Sequence, residues 1–308
     1  TCVPLFFFAN GYLLFQSSFT FKKHIARTLN RAALVLIWAP LTLLIMMPIK
    51  KEYFTLSEIL NPLSGWRYAW NNHLWFLSAL VCIYLVFPLL KVVYDSHPKV
   101  FLYFTVICAI FTLGNKTINI LVTAVSAAFH WNTIYSDVNF FQDFNFLRGI
   151  YGHSFVYFCF GGIVYRYKDT IEHISSKKRT LAALLAITIN MALLWLVGIM
   201  YTTAQGSIWD VVWSGYDTPF TFINVFCLFL LCLNTQTVPR WIPLVSKNTM
   251  GIYLLHMFFM APLQEIVQYY PALQSAAGIL LCPCFVCLIC LLLSVLFNKI
   301  PGVRRLVH

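Results

Sequence analysis

Apolar runs of about twenty residues, almost free of charge, recur along the whole of this 308-residue chain. A helix of roughly that length crosses the ~30 Å hydrocarbon core of a bilayer. Charged residues make up 10% of the sequence and hydrophobic ones 60%, with a mean hydropathy of +0.76. A soluble domain carries about 25% charged residues, so a water-exposed surface cannot be assembled from this composition. The runs do not alternate apolar and polar positions as the strands of a membrane barrel must. The fold class is therefore all-α, a polytopic integral membrane helical bundle.

Nine spans are predicted, at residues 2–17, 32–49, 74–94, 99–115, 149–167, 180–202, 218–235, 249–268 and 276–298. The apolar region 116–130 is short for a span and is expected as an interfacial or re-entrant helix. No internal repeat and no Pro- or Gly-rich linker divides the chain, so the spans read as one domain over residues 1–308. The ten cysteines fall mostly inside apolar spans, where Cys behaves as a small hydrophobe. Cys282, Cys284, Cys287 and Cys290 have a metal-like spacing, but they lie mid-span without a nearby His or carboxylate, and packing is expected.

The net charge of +11 would point to nucleic acid in a soluble protein, but no nucleic-acid motif accompanies it. Its distribution has a simpler cause. Sixteen of the 21 basic residues fall on one side of the predicted topology. They are Lys22, Lys23, Arg27 and Arg31; Lys91 and Lys99; Arg166, Lys168, Lys177, Lys178 and Arg179; Arg240 and Lys247; and Lys299, Arg304 and Arg305. The other side keeps Lys50, Lys51, Arg67, Lys116 and Arg148, with the acids Glu52, Glu58, Asp137, Asp143, Asp210, Asp217 and Glu265. The positive-inside rule puts the first set, and with it the C-terminus, in the cytoplasm. Nine spans then leave residue 1 outside. The chain starts with Thr at the edge of an apolar run, without the basic segment of a signal peptide, so a further span is expected upstream.

Candidate chemistry collects at the span boundaries. His73 opens the third span on the outer side, next to Trp75; it is either an interfacial cap or a group that positions or deprotonates a substrate, since His titrates near working pH. His256 lies inside the eighth span, where an ionisable group usually faces the bundle interior or a wet cavity. Spacings of three and four set Arg27 on one helical face with Lys23, His24 and Arg31. That face either fixes topology beside anionic lipid or seats the phosphates of a cytoplasmic donor. Arg148 and His153 flank the start of the fifth span, and Glu265 lies near the end of the eighth. The outer loops are rich in aromatics: Tyr53, Phe54, Trp66, Tyr68 and Trp70 in one, and Trp131, Tyr135, Phe140, Phe141, Phe144 and Phe146 in another. They form an interfacial belt, a platform for sugar rings, or both. No Gly-x-Ser-x-Gly elbow, phosphate-binding Walker loop or His-Glu-x-x-His zinc helix occurs. Nor do paired intramembrane carboxylates, the mark of proton-coupled transport.

Three blocks carry a family resemblance. Val3-Pro4-Leu5-Phe6-Phe7-Phe8-Ala9-Asn10-Gly11-Tyr12-Leu13-Leu14 resembles the second span of the membrane acyltransferase family 3. His73-Leu74-Trp75-Phe76-Leu77, continued by Tyr84-Leu85-Val86-Phe87-Pro88-Leu89-Leu90, resembles its most recognisable segment, and Gly251-Ile252-Tyr253-Leu254-Leu255-His256 its late span. The blocks occur in the family's order over most of the chain, and the nearest likeness is to the O-acetyltransferases of enterobacterial common antigen and O-antigen. The resemblance implies a ten-span bacterial inner-membrane enzyme that moves an acyl group, usually acetyl from acetyl-CoA, to a hydroxyl of a surface polysaccharide or lipid-linked glycan. No bound cofactor or metal is implied.

The same resemblance places the principal catalytic His on a first span that this sequence does not contain. His73 and His256 are then supporting catalytic residues, and Trp75, Arg27 and Arg148 bind substrates. Two departures from the family pattern stand out. Asn10 occupies the position of a usual Ser, and the family's Arg-x-x-Arg falls on His24-Ile25-Ala26-Arg27, so that only Arg27 carries over in that register. Pairing Arg27 with Arg31 is the alternative. A transporter or flippase of a lipid-linked sugar, or an inactive remnant, are the competing readings; the first lacks the inverted repeats common in transporters. The charge asymmetry predicts that a fluorescent protein fused after His308 matures in the cytoplasm, whereas a reporter active only outside stays silent there.

Overall fold

A computed structural model describes residues 2–60, 73–129, 140, 141, 147, 152–205, 215–233, 235 and 237–304. Arg67, Trp66, Tyr68, Trp70, Trp131, Tyr135, Asp137, Asp143, Phe144, Phe146, Arg148, Asp210 and Arg305 lie outside them. Among the described residues the chain is helical, with no strand. The helices are α1 (Cys2–Gln16), α2 (Phe21–Lys50), α3 (Leu56–Leu60), α4 (Trp75–Ser96) and α5 (Pro98–Ala109). A π-turn at Ile110–Gly114 leads into α6 (Asn115–Ala128). Then come α7 (Gly152–Arg166), α8 (Lys168–His173), α9 (Ser176–Gln205), α10 (Pro219–Leu233), α11 (Trp241–Tyr269) and, after a 3-10 turn at Pro271–Gln274, α12 (Ala276–Phe297).

Each predicted span falls on one of these helices. Among the described residues six helical runs are long and apolar enough to cross a bilayer, and the protein is a multi-pass membrane protein. Local chemistry sets several ends. Pro98 occupies the first turn of α5, where its missing N–H costs nothing. Thr55 and Glu58 cap α3 reciprocally, each side chain bonding the other's backbone N–H. Ser275 caps α12 by accepting the Gly278 N–H. The stretch 116–130 is not a separate interfacial helix, because Pro98–Ser126 is one continuous apolar run. Its polar residues break the hydropathy without breaking the backbone: Thr117 donates to the Leu113 carbonyl and Asn119 to the Asn115 carbonyl.

Two compact units are distinguished. The first comprises Thr1–His24 and Cys82–Gln236, the second Ile25–Val81 and Thr237–His308. In the first, α1 packs along α7. The contact is close because glycines face backbone: a Cβ on Gly11 would lie 1.9 Å from the Phe158 carbonyl oxygen, and one on Gly161 2.1 Å from that of Phe8. Small residues of this kind let helices approach in lipid, where packing rather than water exclusion drives association. Phe15 sits over the crossing, its ring centroid 4.5–5.6 Å from those of Phe87, Tyr94, Phe101 and Phe158. Most of α7 is enclosed by protein. By contrast only 17% of the apolar window of Ser176–Met200 is buried, which leaves α9 facing lipid.

The second unit is built on α11 and α12, joined by a buried polar contact. Ser294 and Asn298 both donate to the Asn248 side-chain carbonyl at 2.9 Å. In the same unit Trp38 of α2 stacks on Phe258 of α11, with centroids 6.0 Å apart, and Lys50 pairs with Glu265. Gly161→Ala is expected to push α1 and α7 apart and destabilise the protein by about 1–3 kcal/mol. Gly198→Ala in α9, where a Cβ meets nothing within 4 Å, should be neutral or better. Thermal midpoints of the two variants in detergent provide the check.

Candidate functional site

The second unit brings together two of the residues singled out in the sequence. His73 and Leu74 form a 3-10 lead-in to α4, and His73 is 8% exposed. Its ring lies edge-on to that of His256, with centroids 5.7 Å apart and planes at 89°. Tyr253 adjoins both rings, its centroid 6.1 Å from that of His73 and 5.8 Å from that of His256. Its hydroxyl donates to the His73 backbone carbonyl, and its oxygen also faces the backbone amides of Phe76 and Leu77. Those amides belong to the first turn of α4, whose N–H groups have no partner within the helix. One phenol therefore closes the end of α4 and holds His73 in place. Phe76 packs edge-to-face on the Tyr253 ring at 5.3 Å.

His256 lies one turn further along α11, and its Nδ1 donates to the Tyr253 carbonyl. A carbonyl only accepts, so Nδ1 carries a hydrogen and the neutral ring presents its lone pair at Nε2. That is the state required of a group that takes a proton from a hydroxyl.

The remaining residues fall elsewhere. Trp75 begins α4, half-buried, with its ring against Phe76. Arg27 is exposed on α2 and makes no hydrogen bond or ion pair among the described residues. Eleven residues separate it from Trp38, about 16 Å of helix. Arg148 lies outside the described residues. Glu265, a possible site member in the sequence, is occupied by Lys50 at 2.5 Å. His153 belongs to the first unit, where its ring lies 5.6 Å from that of Tyr216.

The basic residues divide into two groups that the sequence does not separate. Lys91 donates to the Phe15 carbonyl at the end of α1 and pairs with Asp95 at 2.9 Å. Arg166 donates to the Tyr94 carbonyl at the end of α4 and lies over the Tyr94 ring, 4.1 Å from its centroid. Arg179 donates to Ile171 near the end of α8. These cations cap the carbonyl ends of helices, which carry the negative pole of the helix dipole. Lys22, Lys23 and Arg27 are exposed on the first turns of α2, a positive helix end, where cations are unfavourable unless an anion joins them. His24 does not share their face. It is 6% exposed and turned inward.

Residues 1–298 match the family described as acyltransferase domain, the membrane acyltransferase family 3. The chain belongs to this family. No curated protein and no solved structure matches it. Membership makes the protein a membrane acyltransferase, and it directs attention to Tyr253, which sequence reading passed over between Ile252 and Leu254. Its place in the Gly-Ile-Tyr block was the available signal. Tyr253→Phe is expected to leave the His73 carbonyl and the first turn of α4 without this partner. A stability loss of about 1–2 kcal/mol should follow, read by thermal unfolding in detergent.

Proposed function

We propose that the protein is an O-acyltransferase of the bacterial inner membrane. It transfers an acyl group, acetyl in the simplest case, from acyl-CoA to a hydroxyl of a surface polysaccharide or lipid-linked glycan. The observation that supports this most directly is the His73–Tyr253–His256 arrangement at the start of α4, in a chain of an acyltransferase family. The positive-inside distribution sets this end of α4 toward the outer face, where the acceptor arrives, and leaves the C-terminus in the cytoplasm. The exposed bases on α2, Arg27 among them, then serve the donor's phosphates from the cytoplasmic side. A flexible thioester arm bridges the length of α2 between them.

In this reading the acceptor hydroxyl attacks the thioester carbonyl as its proton leaves. The carbon–sulfur bond breaks, an ester forms, and the proton is returned to the departing thiolate to give free CoA. The family's principal base is expected on a span preceding α1; His256, with its Nε2 lone pair, relays the proton, and His73 and Trp75 position the acceptor. Arg148 contributes to acceptor binding. The test is mass spectrometry of surface glycan from a deletion strain complemented with wild type or variants at equal membrane levels. His256→Ala is expected to lower the ester-linked acyl mass by about 100-fold or more, and His73→Ala by a smaller factor. Unchanged acylation in both variants would remove these residues from the mechanism. Loss of the entire glycan from the deletion strain would indicate transport instead.

A further inference from the structure

Pro88 lies in the interior of α4. Proline has no N–H, so the carbonyl four residues earlier, Tyr84, is left without its helical donor. In a span no water replaces the missing bond, and an unsatisfied carbonyl is costly. The structure supplies a donor from a different helix. Nε2 of His24, at the start of α2, lies 2.7 Å from the Tyr84 carbonyl oxygen. The carbonyl only accepts, so Nε2 carries a hydrogen. The imidazole is held there by aromatic neighbours, its centroid 5.3 Å from that of Phe87 and 5.6 Å from that of Phe19.

The other end of Tyr84 is tied down as well. Its hydroxyl donates to the Asn10 side-chain oxygen at 3.3 Å, while the Asn10 amide donates to the Phe6 carbonyl at 2.9 Å. His24 and Asn10 thus grip the same residue, one at its backbone and one at its side chain.

We infer that His24 is a positioning residue: it closes the backbone gap that Pro88 opens in α4 and, with Asn10, fixes Tyr84 between α1 and α2. It is therefore withdrawn from donor recognition, and at this end of α2 the anion-facing role rests on the exposed Lys22, Lys23 and Arg27. This last clause depends on the acyl-CoA reading above; the backbone role does not.

The two are tested separately. His24→Phe keeps an aromatic ring against Phe87 but removes the donor, and Pro88→Ala restores an N–H to the Tyr84 carbonyl. In otherwise wild-type protein His24→Phe is expected to lower the thermal midpoint in detergent by about 2–4 °C. In the Pro88→Ala background the same change should have almost no effect, since the carbonyl is then satisfied within α4. An equal loss in both backgrounds would overturn the backbone role. ¹⁵N spectra of histidine-labelled protein give a second readout that needs no variant of Pro88. Nε2 of His24 should be protonated at neutral pH, and a deprotonated Nε2 would equally refute the assignment. For the donor, Arg27→Ala should raise the KM for acetyl-CoA in membranes several-fold at low salt, and less at high salt, where the attraction is already screened. His24→Phe should change kcat and leave that KM within about twofold. A rise in KM for His24→Phe matching that of Arg27→Ala would return His24 to the donor site without touching the thermal result.

Discussion

A carbonyl without a donor inside a bilayer has nowhere to turn except another part of the protein, and much of this structure follows from that. Prolines and helix ends create such carbonyls, and side chains from neighbouring helices satisfy them. Lys91 reaches the end of α1, Arg166 the end of α4, and His24 the position exposed by Pro88. Each of these bonds is long-range in sequence yet local in purpose. Residues that would be read as charged surface or substrate contacts thus serve as backbone donors, and the pool of cations available for a ligand shrinks accordingly.

The close approach of α1 and α7 is the counterpart among apolar residues. Gly11 and Gly161 place backbone against backbone, and the Phe15 cluster fills the space around the crossing. Most of α7 is enclosed by protein in this way, while α9 takes a lipid-facing position.

The candidate site uses the same economy of groups. Tyr253 satisfies the start of α4 and, in doing so, sets the distance between two imidazoles; the Tyr253 carbonyl in turn fixes which nitrogen of His256 bears the proton. Structural and chemical roles are carried by one short run of α11. A change at Tyr253 therefore reaches both rings at once, although the residue carries no charge and attracts no notice by composition.

The membrane class, the positions of the spans, the charge asymmetry and the three family blocks are all legible in the sequence, because hydropathy and motif order are local properties that survive without coordinates. The continuation of α5 into α6 is missed for the same reason: Asn115, Lys116 and Asn119 depress hydropathy, which is not what ends a helix. Which face of each helix turns inward is decided only by tertiary structure. In a soluble helix a polar stripe marks the outside, but here nearly every face is apolar, so periodicity carries little information. Nothing in the local sequence distinguishes inward-facing His24 from exposed Lys23 and Arg27, or capping Lys91 from the bases of α2. The meeting of His73 with Tyr253, 180 residues away, is likewise a product of helix packing.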